Sequence, residues 1–281
     1  MKALKFIDSH IHFWDVRNGF NEWVEETALP GYVTPQHFSA NGYVHIEAHG
    51  ETHSSSCELN WLKSQFPQSN IKLIAFIDFN LPMDQFAHEL SLLSAQPDIV
   101  GVRQIMASST RFGYSPFQSE IPKDLSQKLE LLAACNMIFE AQMYPGQFFK
   151  VLDAISASSV TMAIEHMGLP VISCTKNQRD WLSLVKAISH QSNWFLKLTG
   201  FDMLNKGERV TSTLDVIFET IAVSQLCYGS NYPVSHPNHY DSWFNTLREY
   251  LADEVIEKDV FYNTAKLLYF KKRSLGYRDS T

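Results

Sequence analysis

Two histidines stand one residue apart near the start of the chain, inside the apolar stretch FIDSHIHFWD at 6–15. Side chains alternate along a β-strand, so Asp8, His10 and His12 are predicted to share one face. The other face would carry Ile7, Ile11 and Phe13. Because a neutral imidazole nitrogen is a good ligand for Zn²⁺, two histidines on one face indicate a divalent metal site. The alternative is a hydrogen-bonded pair with a structural role.

The fold that would position such a site can be predicted from the rest of the chain. Short β-rich runs alternate with longer amphipathic segments, which indicates strands that alternate with helices. The eight predicted strands are ALKFIDSHIHF, YVHIEA, KLIAFIDF, IVGVRQI, MIFEAQM, VTMAIEH, WFLKLTG and QLCYGSN. The predicted helices are 54–66, 83–96, 122–135, 146–157, 178–191 and 212–223. Eight repeats in a single domain spanning 1–281 predict an α/β fold, the (β/α)₈ TIM barrel. The alternative is an open doubly wound sheet, which is disfavoured because no Gly-rich phosphate loop follows the first strand.

Active sites of such barrels lie at the C-terminal mouth, where side chains from several strands meet. Alternation sends His45, Glu47 and His49 of the second strand toward that mouth. Further polar residues at the ends of later strands are Arg103, Glu140, Gln142, His166 and Lys197. Glu165 is expected to face the opposite way from His166 and to pair with a helix or cap a loop. Polar groups at the ends of six strands predict one common site.

Composition narrows the classes of function. With 281 residues, 45% of them hydrophobic and 19% charged, the chain can bury a sizeable core. A net charge of −7 without Lys/Arg blocks argues against nucleic acid as a partner, and no apolar run is long enough to span a bilayer. Charged side chains interrupt the first ten residues, which is not the pattern of a signal peptide. The four cysteines are scattered and fit reduced thiols, so we expect a cytoplasmic protein. The expected partner is a small-molecule substrate, and a homodimer is compatible with the sequence.

Eight motifs carry a family resemblance. They are IDSHIHFWD at 7–15, VHIEA at 44–48, VGVRQIM at 100–106, FEAQMYP at 139–145, IEHMGLP at 164–170, LKLTGFDM at 196–203, YGSNYPV at 228–234 and NTAKLLYF at 263–270. In this order they resemble the amidohydrolase-2 branch of the amidohydrolase superfamily, metal-dependent TIM-barrel hydrolases that include L-fuconolactonase, L-rhamnonolactonase and pyrone-dicarboxylate lactonase. The resemblance implies hydrolysis of a lactone or related cyclic ester. It matches His10, His12 and His166 to the family's histidines, and Arg103 to an arginine that binds a carbonyl or carboxylate.

One position departs from the family pattern. Where most relatives end the eighth strand in Gly-Ser-Asp, this chain has Gly229, Ser230 and Asn231. An amide cannot accept a proton as a carboxylate does, so Asn231 cannot be the general base. A water beside Zn²⁺ can reach a pKa of about 7 and would need no separate strong base. Otherwise His166 or His12 must take the proton.

These arguments assign roles to the residues of the predicted site. The predicted catalytic residues are His10, His12, Arg103, His166 and Asn231. The predicted substrate contacts are Trp14, Glu47, Gln142, Tyr144 and Lys197. A divalent metal, zinc by preference, is expected on His10, His12 and His166, with a metal-free mechanism as the alternative.

The predicted reaction is attack of water on the ring carbonyl of a small cyclic ester such as a sugar-acid lactone. One alternative is a metal-dependent decarboxylase of the same superfamily. Another is a non-catalytic ligand-binding barrel, since Asn231 replaces the usual aspartate. The aromatic segment FGYSPF at 112–117 is predicted to be a lid or a packed loop.

Overall fold

The structure is a computed structural model that describes residues 4–48, 54, 56–109, 120–236 and 239–271. Its main sheet has eight parallel strands: β1 (Ile7–Ile11), β2 (Gly42–Ile46), β3 (Ile71–Phe76), β4 (Ile99–Ile105), β5 (Ile138–Gln142), β6 (Met162–Ile164), β7 (Trp194–Leu198) and β8 (Leu226–Tyr228). Each strand pairs with the next one in chain order. The predictions for His49 and for 112–117 concern positions outside the described residues.

The first and last strands meet at a seam. The backbone N–H of Asn231 donates to the carbonyl of His10 at 2.7 Å, and the N–H of His12 donates to the carbonyl of Tyr232 at 2.9 Å. These bonds close the sheet next to two histidines and the asparagine of the predicted site. The predicted (β/α)₈ barrel is therefore confirmed, and the open sheet is excluded.

Helices surround the barrel. They are α1 (Cys57–Gln65), α2 (Met83–Ser94), α3 (Leu125–Ala134), α4 (Pro145–Phe148), α5 (Leu152–Ala157), α6 (Thr175–Ser189), α7 (Thr211–Thr220), α8 (Asp241–Tyr250), α9 (Glu254–Lys258) and α10 (Thr264–Tyr269). Each of the six helical segments predicted above overlaps one or two of them. Their apolar faces pack on outward strand residues such as Phe139 and Leu196. Among the described residues, no helix has the length and apolar character needed to cross a bilayer.

The lower interior of the barrel is apolar. One buried cluster joins strand residues with two residues of α10: Ile7, Val44, Ile46, Ile74, Val100, Ile138, Ala163, Cys227, Ala265 and Tyr269. Branched side chains of this kind fill the interior of such barrels. The helix α10 therefore closes the barrel floor, and the polar residues lie above this layer.

The apolar floor corrects the predicted facing of β2. Val44 and Ile46 belong to the interior cluster, whereas His45 points outward to α1, where its ring N–H lies 2.7 Å from Glu58 Oε2. The prediction that His45 faces the mouth is therefore wrong. The alternation was right, but the interior of β2 takes its apolar set, because the lower barrel has to be filled.

The facing of β1 is mixed. Ile7 belongs to the interior cluster, and the carboxylate of Asp8 accepts a hydrogen bond from the Tyr240 hydroxyl at 3.0 Å instead of joining the histidines. The register between β1 and β2 shifts between Asp8 and Ile11. This irregularity interrupts the alternation, so His10 faces inward although Asp8 does not.

Candidate active site

A buried ion pair lies between the apolar floor and the mouth. Lys197 Nζ, from β7, is 2.7 Å from Glu140 Oε2, from β5, and both side chains are fully buried. The hydroxyl of Tyr269 donates to Glu140 Oε1 at 2.6 Å. Burial raises the pKa of Glu140 to about 7, although Lys197 favours its charged form. Lys197 is thus held below the mouth as a structural cation.

Three histidines lie above this pair. The ring centroids of His10 and His166 are 4.8 Å apart, and those of His10 and His12 are 5.3 Å apart. Burial lowers the pKa of His166 to about 4. Burial, followed by the charge of Lys197, also holds the pKa of His10 well below its ordinary value. Burial, followed by the charge of Arg103, likewise lowers the pKa of His12. All three imidazoles are therefore neutral near pH 7, and the neutral form is the one that binds metals and accepts protons.

The tautomer of His12 follows from its hydrogen bond. Its Nδ1 lies 2.8 Å from the carbonyl oxygen of Ile46, which can only accept, so Nδ1 carries the proton. The other ring nitrogen, Nε2, is consequently a bare acceptor. The side chain of Trp14 stacks on this imidazole with centroids 6.1 Å apart, and its indole N–H donates to Pro30. Trp14 therefore supports His12 from the side.

Glu165 lies inside the site, contrary to the sequence-based prediction. Its Oε1 is 3.6 Å from His10 Nδ1, and its Oε2 is 3.6 Å from His166 Nε2. Ala163, two residues earlier on β6, belongs to the interior cluster, so alternation sends Glu165 inward as well. His166 reaches the same site by another route, because it follows the strand with a φ of +52° in a left-handed turn. The prediction treated both residues as one regular strand.

Arg103 joins the carboxylate to two other strands. Its Nη1 donates to Glu165 Oε2 and to Gln142 Oε1, both at 3.4 Å, and its Nη2 donates to the Glu47 carbonyl at 3.0 Å. Burial raises the pKa of Glu165, but Arg103, His166 and Lys197 together outweigh burial and leave this pKa below its ordinary value. Glu165 is therefore an anion. One-tenth of the Arg103 side chain remains exposed at the mouth.

Asn231 is tied to the loop after β8. Its Nδ2 donates to Ser235 Oγ at 2.9 Å and to Met203 Sδ at 3.3 Å. Its backbone, at a φ of +54°, also forms part of the barrel seam beside His10. The Ser235 hydroxyl and the Met203 sulfur therefore both accept from the amide N–H₂ group of Asn231. An aspartate has no such donor.

The side chains of two predicted substrate contacts, Glu47 and Tyr144, lie outside the cluster of histidines. The carboxylate of Glu47 accepts a hydrogen bond from the backbone N–H of Phe76 at 2.6 Å, and its backbone carbonyl accepts one from Arg103. Burial, and after it the charge of Glu58, raises the pKa of Glu47 well above its ordinary value. Tyr144 begins α4 and packs with Leu169 in a separate apolar cluster. Gln142 and Lys197, by contrast, lie beside and below the central residues.

The donor set fits a divalent cation. His10, Glu165 and His166 each offer a ligand atom, and these atoms all lie within 4.8 Å of one another. Several polar atoms of this set make no hydrogen bond within the described residues, namely both ring nitrogens of His10, His166 Nδ1 and Glu165 Oε1. Orphaned polar atoms at such depth are costly unless a ligand or water satisfies them. Sequence reasoning missed Glu165, because Met162, Ala163 and Ile164 are all apolar and give no signal of which face of the strand points inward.

Comparisons with known proteins agree with this architecture. The profile of the amidohydrolase family Amidohydro_2 matches residues 122–271. The uncharacterized protein y4mH of Sinorhizobium fredii is 22% identical over 96% of this chain and 99% of its own length. A zinc-bound amidohydrolase from Burkholderia multivorans matches 95% of this chain and 99% of its own at 16% identity, with a TM-score of 0.75. A probable 2-pyrone-4,6-dicarboxylic acid hydrolase from Acinetobacter baumannii was crystallised with citric acid bound. It matches 95% of this chain and 100% of its own at 17% identity, with a TM-score of 0.69.

Proposed function

The chain belongs to the amidohydrolase family Amidohydro_2, and from this premise we propose that it hydrolyses a small cyclic ester, most directly a sugar-acid lactone. The observation that carries the proposal is the convergence of three neutral imidazoles and Arg103 at the C-terminal mouth of the barrel. A neutral imidazole can accept a proton from water, and a guanidinium can stabilise negative charge on a carbonyl oxygen. These are the two tasks of ester hydrolysis.

The proposed roles follow from the hydrogen bonds. Arg103 has five N–H groups, and its contacts with Glu165, Gln142 and Glu47 hold it rigidly while part of the guanidinium stays exposed toward substrate. It would bind the ring carbonyl and stabilise the oxyanion that forms there. A preorganised donor of this type contributes about 3–4 kcal/mol to the barrier reduction.

His12 is the proposed general base. Its proton is held on Nδ1 by the Ile46 carbonyl, so Nε2 is available to take a proton from the attacking water. The water oxygen then bonds to the carbonyl carbon, the ring C–O bond breaks, and the leaving oxygen receives that proton back from His12. Asn231 lies at the same seam and would orient the water or the substrate.

A divalent metal would be held by His10 and His166 together with a third donor. When bound, it would supply Lewis acidity to the water and to the carbonyl group. Two arguments support its presence: the orphaned ring nitrogens of His10, and the neutral state that burial imposes on the rings of His10 and His166. Zinc is the proposed ion because imidazole and carboxylate are among its usual ligands.

A substrate panel tests the proposed function. Purified protein would be incubated with aldonolactones and with 2-pyrone-4,6-dicarboxylate, and acid release would be recorded at constant pH. We expect hydrolysis of at least one lactone, a large loss in Arg103→Met, and no change in His88→Asn, which alters an exposed histidine on α2. Release of CO₂ from aromatic acids without lactone hydrolysis would favour a decarboxylase, and binding without turnover would favour a non-catalytic barrel.

A further inference from the structure

The carboxylate of Glu165 lies between the two most deeply buried imidazoles of the site. Its two oxygens reach different rings, Oε1 toward His10 Nδ1 and Oε2 toward His166 Nε2, each at 3.6 Å. We propose that Glu165 is the anionic metal ligand, in a set formed with His10 and His166, and that His12 is not a ligand. The proposal deepens the proposed function and rests on it for the use of a divalent ion.

The separations suit a shared ion. Two donors at about 2.0–2.1 Å from a tetrahedral zinc ion lie about 3.4 Å apart. The two nitrogen–oxygen separations at Glu165 are only slightly longer, and all three ligand atoms lie within 4.8 Å of one another. Small side-chain adjustments would therefore bring the donors to coordination distance without moving the strands.

Buried polar atoms without a bonding partner destabilise the fold, and the three proposed ligands contain several such atoms. His10 and Glu165 are fully buried, and His166 is 3% exposed. Within the described residues, both ring nitrogens of His10 and one oxygen of Glu165 have no hydrogen-bond partner. Polar atoms at such depth usually have one, and an ion that accepts one electron pair from each of the three residues would satisfy one ring nitrogen of His10 and the free oxygen of Glu165.

The charge of the set is also appropriate. Two neutral imidazoles and one carboxylate are a known zinc donor combination that leaves a coordination position open for water or substrate. Asn231, just after the eighth strand, is uncharged, and its amide nitrogen is committed to Ser235 and Met203. Glu165 is therefore the carboxylate that would give the donor set its negative charge.

His12 is set apart from the donor set by its position. Its ring atoms are not part of the cluster formed by His10, Glu165 and His166, whose ligand atoms lie within 4.8 Å of one another. It is also somewhat more exposed than His10, at 5% against 0%. These features suit a residue that contacts water or substrate, which is the role proposed for it above.

Arg103 provides an independent test, because it competes for the same carboxylate. Its Nη1 is 3.4 Å from Glu165 Oε2, so an ion beside Glu165 would meet an existing positive charge. Removing that charge should strengthen metal binding even if it abolishes turnover. Loss of activity and gain of affinity in one variant would not result from general damage to the site.

The experiment measures Zn²⁺ and Co²⁺ binding by competition with a chromophoric chelator, on the full-length protein stripped of metal. Wild type should bind one equivalent, Glu165→Gln should bind about 100-fold more weakly or worse, and His12→Asn should stay within about threefold of wild type. Arg103→Met should bind more tightly. Glu89→Gln, on the exposed side of α2, is the matched control for loss of one carboxylate.

Two outcomes would overturn the inference: wild type that binds no equivalent of either ion, or His12→Asn that loses the ion while Glu165→Gln retains it. If Glu165→Gln does not fold, X-ray absorption of the zinc-loaded wild type decides, since two imidazoles with a carboxylate support the set and three imidazoles without one contradict it. Failure of the proposed function has a different signature. Metal would then bind with the predicted variant pattern, while no lactone is hydrolysed.

Discussion

The amide nitrogen of Asn231 donates a 2.9 Å hydrogen bond to the hydroxyl oxygen of Ser235. The sulfur of Met203 accepts from the same nitrogen, so the pocket around this side chain is built for a donor. An asparagine at this position therefore has both hydrogen-bond acceptors that its amide nitrogen needs.

Asn231→Asp should lower activity about tenfold. A carboxylate would place an acceptor against Met203, force the Ser235 hydroxyl to rotate, and supply a base that His12 already provides. The pH–rate profile on the best lactone measures the effect, with Ser235→Ala as a milder variant that removes only one contact. A tenfold increase in rate, about 1.4 kcal/mol of barrier, would mean instead that the natural chain lacks its base.

His12→Asn should reduce kcat by about 10²- to 10⁴-fold, because it removes the proposed general base while leaving Arg103 in place. The protein should stay folded with a modestly lower thermal midpoint, since the buried imidazole stacks on Trp14 and bonds the Ile46 carbonyl. Steady-state kinetics and circular dichroism measure the two effects. Wild-type turnover in this variant would remove His12 from the mechanism.

Gly200→Ala should damage the site through His166. Gly200 has a φ of +65°, and a Cβ built on it would lie 2.8 Å from Cγ of the His166 ring. Gly207→Ala is a matched control, because Gly207 has a φ of +82° but its Cβ would meet nothing within 4 Å. Gly207→Ala should lose about 1 kcal/mol of stability from backbone strain. Gly200→Ala should lose more, because its Cβ also overlaps His166, and only Gly200→Ala should lose activity. Equal losses of activity would contradict the role of His166.

Lys197→Met should be strongly destabilising. It leaves the buried carboxyl of Glu140 without its cation, and breaking a buried pair in this way costs about 3–5 kcal/mol. The double variant Lys197→Met/Glu140→Gln should recover much of that loss, since Gln keeps an acceptor for the Tyr269 hydroxyl. Urea unfolding of the four proteins in a double-mutant cycle measures the coupling. Strict additivity of the two changes would show that the pair contributes no coupling.

The contact between His45 and Glu58 predicts an acid-dependent stability. Burial raises the pKa of Glu58, but hydrogen bonds from His45, Asn21 and Ala48 outweigh it and leave this pKa lowered in the fold. A lowered carboxyl pKa stabilises the fold above its unfolded value of about 4.5, and this contribution is lost as the pH falls further. Glu58→Gln should therefore be less stable than wild type by about 1–3 kcal/mol at pH 7.

Thermal unfolding of wild type and Glu58→Gln between pH 7 and pH 3 tests this effect. The difference between the two proteins should be constant above about pH 5 and should shrink below about pH 4.5. A difference that stays constant down to pH 3 would mean that the loss arises from packing, with no contribution from the charge of Glu58.

Much of this protein could be predicted from its sequence. Alternation of eight apolar runs with amphipathic segments predicted the barrel, because hydrophobic periodicity reports directly which element a segment forms. In the structure, the histidines of the first motif lie beside His166, and Arg103 contacts Glu165 of the same cluster. Parallel strands place their C-terminal ends together, so residues at those ends meet whatever the details of packing.

Only the tertiary structure decided which side chains of a strand face inward. Alternation defines two faces but does not say which one faces the barrel, and the filled floor reversed the expectation for His45. A register shift in β1 separated Asp8 from His10, and a left-handed turn after β6 let Glu165 and His166 enter the site together. These outcomes depend on neighbouring strands and on the volume to be filled inside the barrel, which one strand's own residues do not encode.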